Sequence, residues 1–117
     1  MASVTSHELN TQPFLLGGGR TTAAAVASGQ TIAKYAPLGR VTATGLCVEA
    51  AADATDGSQV VIGIANDTID TTAGAASSPM WVGGDFNADL IDWDASWTAS
   101  AKAGAFDRTM IVAYSPG

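Results

Sequence analysis

Between residues 85 and 94 the chain reads DFNADLIDWD, the densest run of side-chain oxygen ligands in the sequence. Asp85, Asn87 and Asp89 match the first three ligand positions of a calcium-binding loop. The template then breaks twice. Leu90 stands where the sharp turn needs glycine, and Ser96 stands where a bidentate glutamate would close the shell. A solvated acidic edge is the better reading. Asp92 and Asp94 suggest an acid/base pair, because residues two apart in a strand point to one face. Glycoside hydrolysis would use such a pair, but no aromatic-lined cleft is legible around it.

The remaining reactive groups are single. His7 is the only histidine and lies in a polar N-terminal stretch, with no scaffold to orient a triad or a ligand set. Cys47 is the only cysteine, so neither a disulfide nor a cysteine-based zinc cluster forms within one chain; in GLCVEA it reads as a small buried apolar residue. GGGRTT lacks the spacing and the lysine of a phosphate-binding loop. Trp81, Trp93 and Trp97 have faces that stack on sugars, although core or trimer-interface positions suit them better. The sequence therefore predicts no catalytic, metal or cofactor site.

The totals point the same way. In 117 residues there are five basic and eleven acidic side chains, a net charge of −6, and no Lys/Arg cluster, which argues against binding nucleic acid through its phosphates. No stretch approaches the roughly 18–20 apolar residues of a membrane-spanning helix, and the first residues carry no basic start or apolar run. The expected setting is the cytoplasm, unless something else carries the chain out. The chain has room for one domain, whose core must rely on Val, Ile and Leu with few rings, so association of copies is expected to add stability.

These residues need elements to hold them. Residues 1–20 read as an arm, polar except for the apolar knot Phe14, Leu15 and Leu16, with Gly17, Gly18 and Gly19 as a hinge that uncouples it from a domain over 21–117. Pro37 and Gly39 interrupt any helix in the next segment. Strands are predicted over Leu38–Thr42 and Leu46–Glu49, joined by a turn at Thr44-Gly45. Asp56-Gly57 turns a loop into Val60–Ile64, the most β-branched run and the expected central strand. Residues 71–79 read as an exposed loop, and 80–86 as a strand bent at Gly83-Gly84. One short helix is expected from an N-cap at Asp94 or Ser96, with Trp97, Ala101 and Ala105 on one face, before a last strand over Thr109–Tyr114.

Taken in order, FLL (14–16), VASGQ (26–30), PLGRVTATG (37–45), DATDGSQVVIGI (53–64) and VGGDFNADLI (82–91) resemble the bacteriophage lambda-type head decoration proteins. The resemblance spans nearly the whole chain, although TTAGAASSP, the AYSPG tail and, more loosely, DWDASWTASAKAG lie outside it. It implies an all-β domain of β-clip type with one short helix and a flexible N-terminal arm, and no enzymatic activity. It further implies a homotrimer on the capsid exterior, bound to the major capsid protein at three-fold positions of the expanded head. Phe14, Leu15 and Leu16 then become the capsid-binding residues of the arm. A carbohydrate-binding or adhesive β module on a virion is the alternative, resting on the three tryptophans and the acidic edge.

Overall fold

The computed structural model describes residues 13–115. Its strands are β1 (Leu15–Val26), β2 (Thr31–Ile32), β3 (Pro37–Arg40), β4 (Cys47–Glu49), β5 (Val61–Ala65), β6 (Ile69–Asp70), β7 (Ala76–Asn87) and β8 (Met110–Tyr114). A 3-10 turn occupies Ala88–Leu90, and a single short α-helix, α1, spans Ala99–Ala103. Six strands form one mixed sheet in the order β1-β4-β3-β5-β7-β8, and a further pairing of β1 with β7 curls it into a nearly closed ring. β2 and β6 form a separate two-stranded ribbon. The all-β reading with one short helix holds.

The predicted hairpin is present, with Leu38 opposite Glu49 and Arg40 opposite Cys47. The β-branched run became β5, flanked by β3 and β7, and its Val61 and Ile64 are buried as a central strand requires. Gly57 turns the chain into it at φ +107°, a conformation only glycine adopts without strain, and the Asp56 carboxylate accepts from the N–H and Oγ of Ser58 to fix the turn.

The N-terminal part of the domain differs from the expected arm and hinge. From Leu15 onward the chain is strand, and β1 runs antiparallel to β7 from Leu15 opposite Phe86 to Val26 opposite Ala76. Phe14 is 5% exposed; its ring stacks on Tyr35 with centroids 3.8 Å apart and packs against Phe86 at 5.0 Å. Its carbonyl accepts from Asn87 N–H at 2.8 Å. In the run Gly17, Gly18 and Gly19 the glycines have different reasons: a Cβ at Gly19 would strike the Trp81 and Leu15 side chains, Gly18 takes a φ of +63°, and Gly17 is in open space. The backbone of β7 comes so near them at Gly84 that a Cβ there would lie 2.9 Å from Gly19 Cα. The pairing is irregular around these glycines, with register shifts between Leu15 and Thr21. The irregularity expected at Gly83-Gly84 thus appears as slips of register against a second glycine run, 17–19, on the neighbouring strand.

Residues 76–79, expected in a loop, belong to β7 because β1 supplies them a partner. The helix also starts later than expected. Asp94 Oδ2 accepts from Ser96 N–H (3.0 Å) and Ser96 Oγ (2.6 Å), and Ser96 Oγ accepts from Ala52 N–H (2.8 Å). Both predicted caps are thus committed to a turn, and Thr98 caps α1 by accepting from Ala101 N–H. Trp97, Ala101 and Ala105 do come together in one cluster with Ala50 and Val61, although of the three only Ala101 lies within α1.

Two further clusters complete the core. Val26, Ile32, Leu38, Cys47 and Met80 fill one, and Phe14, Ile64, Phe86, Ile91 and Ile111 the other. Phe14 joins the start of β1 to the second cluster, so its truncation should be felt by the whole domain. Phe14→Ala is expected to destabilise the protein by about 3 kcal/mol in urea denaturation, as core phenylalanines do. A change within about 0.5 kcal/mol would mean that the segment is uncoupled from the fold after all.

Candidate functional site

The acidic stretch does not converge on a point. Asp85 lies exposed in β7, opposite Val112 of β8. Asn87 is buried, and its Oδ1 accepts from Asp89 N–H at 3.0 Å to cap the 3-10 turn. Asp89 faces the other way and accepts from Ser115 Oγ at 2.9 Å. The alternation that resembled a calcium loop is strand followed by turn, and among the described residues no three His, Cys, Asp or Glu side chains are grouped to hold a metal ion.

Asp92 and Asp94 sit in irregular chain, so the strand argument for a shared face does not apply. Hydrogen bonds from Ser96 hold the Asp94 carboxyl below the usual carboxylate range, which suits a structural acceptor and not a proton donor. Glu49, on β4, is the group the sequence reading missed. Partial burial pushes its carboxyl up, and the negative charges of Asp94 and Asp92 push it further. Nothing local in sequence signals this, since the fold alone brings β4 beside residues 92–94.

His7 lies outside the described residues. Cys47 is 1% exposed inside the first core cluster. The tryptophans are absorbed by their own protomer to different degrees. Trp97 is 9% exposed and donates through Nε1 to Ala50 O at 3.0 Å. Trp93 is half-buried between Trp97 and Phe106, with Lys102 Nζ over its ring at 5.8 Å. Trp81 is half-buried against Phe86, and its buried Nε1 has no acceptor among the described residues. Trp97 is thus taken up by the core, while Trp81 and Trp93 are partly covered by their aromatic neighbours.

The large apolar side chains that do face outward are Leu90, Met110, Val112 and Tyr114, exposed by 40, 70, 55 and 44%. Three of them alternate along β8, whose inward residue Ile111 is in the core, so one strand presents an apolar row to the outside. Two grooves border that strand. One, of about 700 Å³, runs between β8 and α1. The other, of about 540 Å³, is walled by Val60, Ile62, Val82 and Met110 with Arg20 and Arg108 at its rim. The start of β1 lies on the same end of the molecule, tied to Asn87, the residue opposite Tyr114.

A small β ring whose polar groups are spent on turns and caps, and whose outer strand is apolar, belongs to the class of structural binding proteins. Residues 5–112 match the bacteriophage lambda head decoration protein D family, and the chain belongs to that family. It is a structural protein of the phage virion, located on the capsid, where it binds the shell and stabilises the head; it is not an enzyme. Comparison with curated protein sequences gave no match.

The carboxylates of this region give the domain two opposed pH responses. Glu49, with its folded-state pKa raised above 4.5, favours folding when protonated, and that contribution is lost as pH rises through the raised value. Glu49→Gln should therefore raise the melting temperature at pH 7 and leave it nearly unchanged below pH 4, where the acid is neutral in both states. Asp56, Asp70 and Asp94 have lowered values and act in the other sense, stabilising above 3.8 and losing this as pH falls through their folded values. Thermal melts of the wild type and Glu49→Gln across this range read both; equal melting temperatures at pH 7 would remove the Glu49 assignment.

Proposed function

We propose that the protein acts as a homotrimer at three-fold positions of the expanded head and ties neighbouring shell subunits together against the pressure of packaged DNA. The observation that carries the reading is the apolar outer face of the β5–β7–β8 region, where half-buried Ile62 and Val82 lie beside the most exposed large side chain, Met110. A light core gains by covering such a face with another copy. A three-fold contact is head to tail, so this face meets a different surface of the next protomer.

The trimer then makes weak contacts effective. One copy's contact with the shell buries a few side chains at roughly 1.5–3 kcal/mol each, offset by ordering entropy. Three contacts on one body make the second and third intramolecular, raising avidity by roughly 10²–10⁴. Shell contact by the N-terminal end falls to the residues before Pro13 and to half-buried Leu15 and Leu16, while Phe14 anchors their root in the core. Gly17, Gly18 and Gly19 hold that root against Gly84, which keeps the three contact points of a trimer at fixed spacing.

Light scattering at micromolar concentration should return three times the 11.7 kDa protomer mass. Met110→Asp should shift the population toward monomer while leaving protomer folding intact. A wild-type monomer would sink the trimer. Deleting residues 1–12 should preserve the trimer and its melting temperature and weaken binding to expanded, undecorated capsids; saturation at the wild-type concentration would show that shell contact lies wholly on the folded body.

A further inference from the structure

The groove between β8 and α1 has a construction that decoration as such does not explain. Ile111, Val112 and Ala113 all line it. Side chains of consecutive strand residues alternate between the two faces of a sheet, so a groove touching all three follows the main-chain edge of the strand. Among the described residues that edge is open: β8 pairs with β7 on one side and ends the sheet on the other. The opposite wall is α1, which turns exposed Ala99 and Ala103 toward the groove, with Lys102 between them. Trp93 and Phe106 close its floor. A strand edge facing a wall of small side chains across an open groove of about 700 Å³ is a slot for extended chain.

We propose that this slot receives an extended segment of the shell protein, added as a strand alongside β8. The inference rests on the reading that the protein binds the capsid through this end. The twelve residues outside the described structure at the N-terminus join it at Pro13, and Phe14 O accepts from Asn87 N–H. The next two residues, Ala88 and Asp89, line the mouth of the slot. An N-terminal segment engaged with the shell therefore brings the slot to the shell surface. Leu90, Val112 and Tyr114, exposed at the same end, would be covered by the same contact. The segment recognised is one whose main chain continues the sheet, with small or apolar side chains against Ala99 and Ala103 and uncharged polar groups beside Asp89, Lys102 and Asp107. Main-chain pairing supplies affinity, and the alanine wall selects by size.

Ala103→Trp tests this, because it fills the slot from an exposed helix position without touching the core. The variant should remain trimeric with an unchanged melting temperature and bind expanded, undecorated capsids roughly tenfold or more weakly. Ala99→Arg should do the same by a different side chain. Hydrogen exchange followed by mass spectrometry should show residues 110–114 slowing on decorated capsids relative to the free protein. Wild-type binding with both variants binding equally well would overturn the slot alone, whereas failure of the wild type to bind would overturn the capsid reading beneath it. Protection of β8 already present in the free protein and lost on deleting residues 1–12 would assign the slot to this chain's own N-terminus. Protection in the free protein that survives the deletion, at β8 amides on the edge away from β7, would assign it to a neighbouring copy. Either result would overturn the proposal.

Discussion

The pairing of β1 with β7 is the constraint on which the rest of the molecule depends. Without it the remaining strands form an open sheet, and the first core cluster loses Ala24 and Val26 from one wall. With it, β7 becomes the spine of the structure: it faces β1 along its length and meets β5 and then β8 on its other side. The long-range character of this contact, from residue 15 to residue 86, means that the chain closes its ring only when its two most distant long strands meet. Loop-closure entropy opposes that meeting, and main-chain hydrogen bonds with the burial of Phe14, Phe86 and Met80 offset it.

Glycine makes the pairing possible. Where residues 17–19 cross Gly84, the two backbones approach more closely than a side chain at position 84 would permit, and the register slips locally. The same approach keeps Phe14 within stacking distance of Tyr35, a non-glycine residue held at φ +70°. Tyr35 is secured there by its N–H donating to Ala65 O and its carbonyl accepting from Asp92 N–H. The cost of that conformation, on the order of 1–3 kcal/mol, is met by packing and hydrogen bonding around it.

Function follows from what the ring leaves outside. Polar side chains that resembled a site are consumed locally: Asn87 caps a 3-10 turn, and Asp94 and Ser96 fix the approach to α1. The apolar surplus collects on β8, an edge strand whose outward row is Met110, Val112 and Tyr114. An exposed apolar edge invites strand addition, and the attachment proposed above would turn that liability to use.

The sequence by itself determined the elements whose signals are local. The β3–β4 hairpin, the Asp56-Gly57 turn, the central strand β5, the grouping of Trp97, Ala101 and Ala105 and the strand β8 each follow from turn chemistry or side-chain period within about ten residues. The order of five such pieces was also enough to suggest the family that residues 5–112 match. Only the tertiary structure decided the rest. LLGGGRTTAAAV has the composition of a linker and became a twelve-residue strand because β7 was there to pair with it. Glu49 meets Asp92 and Asp94, and the slot forms between β8 and α1, through distances in space that no local pattern encodes. Low-propensity residues take the conformation of their partner, and a partner some sixty residues away is invisible until the ring has closed.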